Sequence, residues 1–189
     1  MIFELPYNRE RAVEYAKKWA LSRNPLFIDF TGGGGDCTNF VSQCIFAGCG
    51  VMNYTMTFGW YYISPEERAP AWSGVDELYD FLDGAPEFVM ENGGVGPFGR
   101  TATSREDIML GDVVQLMNSA GEYYHTLIIT GLEEGEILVS AHTNDALDRP
   151  LSSYPYFSAR IIHILGARIS VDNTESFTKL ISGDQIISL

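Results

Sequence analysis

The chain has 189 residues and a formal net charge of −13 at pH 7, with 25 acidic against 12 basic side chains. Its length predicts one domain, and its 46% apolar content is typical of a globular protein that buries a core. The acidic balance disfavours nucleic-acid or anionic-membrane binding, and no run of 18 apolar residues predicts a spanning helix.

Helices are predicted in the first half of the chain. Asn8 is a favourable N-cap for a helix over residues 9–21. A second helix is predicted over residues 37–47, directly after four consecutive glycines at 32–35. Ser73 and Asp76 resemble a capping box that opens a third, short helix.

The pattern changes from helical to extended in the second half. Residues 86–103 contain paired glycines and a Gly-Pro step, which predict a loop. Strands are predicted over residues 112–116, 125–130, 136–142 and 160–165. Helices followed by strands indicate an α+β fold with N-terminal helices packed on an antiparallel β-sheet. We expect one domain over residues 1–168, and an extension over 169–189 that adds a short strand or docks as a tail of unknown role.

Cys37 is the strongest candidate for chemistry because it lies in the first turn of a helix that follows a glycine-rich loop. Unpaired N–H groups and the positive end of the helix dipole stabilise a thiolate there, and the thiolate is the nucleophilic form. The alternative is a small buried residue that merely starts the helix. Cys44 and Cys49 fit that alternative better, and Asp36 is read as a simple helix cap.

A cysteine nucleophile needs a base and a group that orients the base. A hairpin turn at Glu133 and Glu134 places His125 directly opposite His142, with Cβ atoms ~5 Å apart. A turn that includes Gly135 shifts this register by one residue and puts the two rings on different faces. Asn144 is the reserve orienting residue. The third histidine, at position 163 between isoleucines, is interpreted as a partly buried strand residue.

Several segments together resemble the putative amidase domain family, which has the papain-like fold and is related to the NlpC/P60 and CHAP cysteine peptidases. They are residues 7–16, 35–43, 59–62, 72–75, 111–114, 125–126, 141–145 and 150–151. The resemblance implies Cys37 as nucleophile, His125 as base and His142 as the orienting residue. It also implies a bacterial hydrolase of amide bonds, with peptidoglycan peptides as the favoured substrate.

We therefore expect a cysteine amidase or peptidase without metal or cofactor, acting on a peptide or amide. An inactive module that binds a peptide or glycan in a groove at Trp60 and Trp72 is the alternative. A zinc site formed by Cys37, His125 and His142 ranks last, and an acyltransferase with the same Cys-His chemistry is the nearest enzymatic rival. The first residues lack the pattern of a signal peptide, so the expectation is a soluble chain, either cytoplasmic or part of a longer exported protein.

Overall fold

The computed structural model describes residues 1–133 and 135–171, Thr178 and residues 181–183. Within these residues the protein is an α+β domain in which helices pack on a seven-stranded antiparallel sheet. Apart from the end of the last strand, Thr178 and residues 181–183, the predicted extension lies outside the described residues. No described helix is long and apolar enough to cross a membrane.

The elements follow one another with the helices concentrated in the first half. The helices are α1 Arg9–Trp19, α2 Cys37–Cys49, α3 Pro70–Ser73, α4 Val75–Asp83 and α5 Pro86–Asn92. The strands are β1 Ile2–Leu5, β2 Gly96–Thr101, β3 Val113–Met117, β4 Tyr123–Glu133, β5 Glu136–Ala141, β6 Ala146–Pro150 and β7 Ser158–Ser170. The sheet order is β1-β7-β3-β4-β5-β6, and β2 also pairs with β7.

The two faces of the sheet belong to different hydrophobic clusters. The helix-facing cluster takes Val113, Ile128 and Ile162 from the strands and joins them to α1, α2 and α4. The second cluster takes the alternate residues, such as Leu127 and Ile129, on the other face. Along β4 before its bulge, the residues of Ile128 parity therefore face the helices, and those of Leu127 parity face the second cluster.

The first two helices agree with the prediction. The Asn8 side chain accepts a hydrogen bond from the Arg11 backbone N–H and starts α1. Helix α2 begins at Cys37, as predicted, and ends at Gly50, which adopts φ 67°. Gly48 lies inside this helix, where a Cβ would clash with the Tyr7 ring, so the close approach of Tyr7 to α2 requires glycine.

Two predicted features are wrong. Residues 86–103 are not a loop, because Pro86 starts α5, Gly93 ends it, and β2 follows. The predicted capping box at Ser73 and Asp76 is absent: Ser73 is the last residue of α3, and α4 starts after Gly74 without a side-chain cap.

Two tryptophans, one before α3 and one inside it, are part of the core. Trp60 and Trp72 are both fully buried, with ring centroids 4.8 Å apart. Their indole N–H groups donate to Ser42 Oγ and Asn39 Oδ1 of α2. The predicted binding groove at these two residues is therefore wrong, and they instead fix the position of the helix that starts at Cys37.

Candidate active site

Cys37 occupies the first position of α2, after a glycine-rich turn. Gly34 and Gly35 have φ values of 117° and 108°, which side-chain-bearing residues rarely adopt. The Cys37 side chain is buried but keeps 7% exposure. Its sulfur lies 3.9 Å from Thr38 Oγ1, which is its one hydrogen-bond partner within the described residues.

Asp36 binds several partners instead of capping the helix. Its side chain makes no hydrogen bond to the backbone N–H groups of the N-terminal turn of α2, which corrects the cap prediction. Oδ1 accepts from the Phe30 backbone N–H at 3.0 Å and from Asn39 Nδ2 at 2.7 Å. Oδ2 lies 2.6 Å from Nδ1 of His142. The residue before the candidate nucleophile is thus tied to the preceding loop, to α2 and to the sheet.

Thr143 joins the β5–β6 turn to the backbone before Cys37. Thr143 and Asn144 adopt φ values of 61° and 69°, a left-handed pair that costs a β-branched residue free energy. The Thr143 hydroxyl accepts the Asp36 backbone N–H at 2.6 Å. This hydrogen bond compensates for part of the backbone strain and fixes the peptide that leads into Cys37.

Arg23 holds the loop that carries the glycines. Its guanidinium makes a two-point contact with the Asp145 carboxylate, at 2.9 and 3.0 Å. It also donates to Thr31 Oγ1 at 3.1 Å and lies 3.3 Å from Asp29. The hydrogen bond to Asp145 and the charge of both carboxylates raise the pKa of Arg23. A cation therefore fixes the glycine loop to the β5–β6 turn.

His142 is buried beside α2 and does not contact His125. Its Nε2 lies 2.8 Å from the Trp19 carbonyl oxygen, and its ring stacks on Phe40 at 4.0 Å. Within the described chain, no hydrogen bond or ring contact joins His142 to His125. The predicted pairing of the two rings is therefore wrong.

The observed strand register explains this difference. Ile128 pairs with Ser140 and Ile129 with Val139, one residue away from the predicted register, and a bulge lies between Ile129 and Gly131. A one-residue shift moves every side chain to the other face. His142 consequently points toward α2, whereas His125 lies on the face of the second cluster, where it pairs with Leu116.

His125 sits among aromatic rings at the start of β4. Its ring centroid lies 6.2 Å from that of Tyr124 and 6.0 Å from that of Tyr154. Burial, followed by the positive charge of Arg149, lowers the pKa of His125 from 6.5 to about 4. The imidazole is therefore neutral at pH 7. No hydrogen bond joins it to Cys37 or to any other described residue.

The remaining candidates lie in different surroundings. Asn144 is exposed in the β5–β6 turn. His163 Nδ1 lies 2.8 Å from Asp112 Oδ2 in a cluster with Arg9. Burial raises the pKa of the fully buried Cys44 thiol, and it raises the pKa of Cys49 to about 11. Among the described residues, no three His, Cys, Asp or Glu side chains are grouped as metal ligands, so the alternative of a zinc site gains no support.

The family described as Putative amidase domain matches residues 6–165. The chain belongs to this family. A relative of this chain is the uncharacterized protein YhbB of Bacillus subtilis, 30% identical over 144 residues. The match covers 74% of this chain and 42% of YhbB, so the chain spans less than half the length of that relative. No solved structure matches.

The sequence did not single out Arg23 and Thr143 as site residues. Both act across long sequence separations, 122 residues from Arg23 to Asp145 and 107 from Asp36 to Thr143. A signal was nevertheless present, because Thr143 lies between the two candidates His142 and Asn144, and Asp145 follows directly. A family resemblance through residues 141–145 marks the segment but not the role of each side chain.

Proposed function

We propose that this member of the amidase family is a cysteine-dependent hydrolase of amide bonds with a papain-like arrangement, in which Cys37 is the nucleophile. The observation that carries the proposal is the placement of a cysteine, 7% exposed as a residue, at the first position of a 13-residue helix. The N-terminal N–H groups of that helix are free to stabilise negative charge on sulfur and on a developing oxyanion.

His125 is the base in this proposal on the family resemblance, and its ring is neutral at pH 7 and can accept a proton. Both ring nitrogens of His142 already have hydrogen-bond partners, the Asp36 carboxyl group and the Trp19 carbonyl oxygen, so neither is available to Cys37. His125 is neutral and makes no hydrogen bond within the described chain. In this structure His125 and Cys37 lie on different faces of the sheet, so the proposal requires the start of β4 to turn the imidazole toward Cys37 when substrate binds, before the proton is transferred.

The reaction then follows thiol-hydrolase chemistry. His125 takes the Cys37 proton, and the sulfur attacks the amide carbonyl carbon to give a tetrahedral oxyanion near the Cys37 N–H. Collapse of this intermediate breaks the C–N bond, and the imidazolium returns its proton to the leaving amine. Water, deprotonated by His125, then hydrolyses the thioester. An amine in place of water would give acyl transfer.

Peptidoglycan peptides are the substrate we propose first, on the family resemblance, followed by simple peptide amides. The test measures amine release from muropeptides and peptide amides by the purified chain. Cys37→Ala is expected to fold and to lose activity by at least about a thousandfold, as for other catalytic nucleophiles. His125→Gln is expected to lose activity with the fold unchanged. Cys49→Ser, a matched thiol removal outside the site, retains activity.

Two results would contradict the proposal. Equal amine release by Cys37→Ala and the unmodified chain removes the nucleophile assignment. Full activity of His125→Gln removes the base assignment alone. Trapping the acyl-enzyme with a slow ester substrate, followed by peptide mapping, identifies the acylated residue directly.

A further inference from the structure

A polar path crosses the helix-facing side of the sheet and ends beside Cys37. We call it the donor chain, and its members are Arg160, Gln115, Thr126 and Thr38. Gln115 and Thr126 are fully buried, and Thr38 is 1% exposed. Buried polar side chains are costly unless they are hydrogen-bonded, so a continuous path of this kind needs a reason.

The direction of the first two hydrogen bonds is fixed by chemistry. Arg160 Nε donates to Gln115 Oε1 at 2.7 Å, because a guanidinium can only donate. Gln115 Nε2 then donates to the Val75 carbonyl at 2.6 Å and to Thr126 Oγ1 at 3.5 Å. Because a donor faces the amide oxygen of Gln115 and acceptors face its nitrogen, the two atoms are assigned without ambiguity.

The two hydroxyls complete the path. Thr126 Oγ1 and Thr38 Oγ1 lie 2.9 Å apart, so one donates to the other. If Thr38 donated, the Thr126 proton would have no acceptor in the described structure. If Thr126 donates, the Thr38 proton is free for the Cys37 sulfur at 3.9 Å. The second arrangement satisfies every donor.

We infer that the donor chain favours the thiolate form of Cys37 by aiming a hydrogen-bond donor at its sulfur. All four bonds then run in one sense, from a cation toward the sulfur, and such chains polarise one another. Arg160 is itself held between the rings of Tyr79 and Tyr123, each 3.6 Å from its guanidinium carbon. Members of the donor chain act on the Cys37 sulfur through Thr38, so they are positioning residues. The inference rests on the proposed function, in which Cys37 is the nucleophile.

Other titratable groups lie near the start of α2, on β4 or beside Arg160, and the threonine variants leave all of them in place. They are Asp29, Asp36 and Arg23 on the loop side, Asp145 and His142 on the sheet side, His125 on β4, and Asp76, which binds Arg160. Substitution of a threonine by valine removes a hydroxyl without changing any of these charges or the side-chain shape.

The test measures the rate of iodoacetamide alkylation of Cys37 from pH 5 to pH 10, followed by peptide mapping. Thr38→Val is expected to slow alkylation at pH 6 by about fivefold, the effect of about one hydrogen bond, and to leave the high-pH plateau unchanged. Thr126→Val is expected to shift the profile in the same direction by a smaller factor. Thr38→Ser and Thr126→Ser retain the hydroxyl and restore the original profile.

Thr130→Val is the matched control. Thr130 lies on the same face of β4 and forms a buried hydroxyl pair with Ser140 at 3.0 Å, away from Cys37. It is expected to leave the alkylation profile unchanged. If Thr38→Val and Thr126→Val both match Thr130→Val, the inference is wrong.

A substitution at Arg160, the outer end of the donor chain, tests the inference even if Thr38→Val and Thr126→Val fail to fold. Arg160→Met retains a long side chain between the two tyrosines but removes the cation, and it is expected to slow alkylation at low pH. An unchanged profile overturns the inference. Because alkylation requires no turnover, failure of the donor chain is distinguishable from failure of the proposed function, which is tested by the activity of Cys37→Ala.

Discussion

Asp36 and His142 form a buried pair, with Oδ2 and Nδ1 2.6 Å apart and both side chains 1% exposed. The other ring nitrogen faces the Trp19 carbonyl. Both contacts can be hydrogen bonds only if the His142 ring and the Asp36 carboxyl group together carry two protons. The pair connects the residue before Cys37 to the end of β5, so His142 supports the site and does not orient a base.

Replacing His142 is expected to destabilise the fold. His142→Gln offers N–H donors at one end only, which leaves a buried oxygen facing another oxygen. We expect a loss of about 2–3 kcal/mol in the free energy of unfolding, measured by urea denaturation. Asn144→Gly, in the exposed turn next to it, suits the positive φ and is expected to change stability by less than about 0.5 kcal/mol. Unchanged stability of His142→Gln would contradict the support role.

The three thiols are expected to differ in reactivity. Burial raises the pKa of Cys44 and Cys49, so few of these thiols are ionised at pH 7. Cys37 is therefore expected to be alkylated first when the native protein is treated with iodoacetamide and mapped by mass spectrometry. In urea the three rates are expected to converge. Equal labelling of all three thiols in the native state would count against the site.

His125 is expected to make stability depend on pH. Its pKa is 6.5 when unperturbed and about 4 in the fold, so the unfolded chain binds more protons between these values. Stability therefore rises with pH across this window, and it falls by roughly 2 kcal/mol between pH 7 and pH 5. His125→Gln removes this contribution, so its unfolding free energy should change less over the same interval. An identical pH dependence of the unfolding free energy in the unmodified chain and in His125→Gln would contradict the lowered pKa of His125.

Trp72 is expected to act through the core and not through a ligand. Trp72→Phe removes the donor to Asn39 Oδ1 at 2.8 Å and leaves a buried acceptor unpaired. We expect about 2 kcal/mol of destabilisation in thermal unfolding. Phe157→Leu is the control, because Phe157 is 73% exposed and its replacement is expected to be close to neutral. A fully stable Trp72→Phe variant would contradict the core role.

Local patterns predicted the helices that carry the site. The spacing of apolar residues, Asn8 as cap and the glycines before Cys37 are all local signals, and α1 and α2 start where they indicate. The four predicted strands also formed. Residues 96–101 contain two glycines and a proline, so β2 carries no alternating pattern, and pairing with β7 determines it instead.

The arrangement of the site was less predictable because it depends on register. The observed turn between Glu133 and Glu136, together with the bulge before Gly131, shifts the end of β5 by one residue relative to β4. Nothing local in the sequence specifies such a bulge. The change is small along the chain, but it exchanges faces and moves His142 from His125 to Asp36.

The contacts at Asp36 have a consequence for how the protein is made. Its backbone N–H binds Thr143 and its carboxylate binds His142, partners 107 and 106 residues later. A ribosome delivers these partners only after most of the domain has been translated. The segment around Cys37 therefore reaches its final shape late, after the strands that hold it have been synthesised.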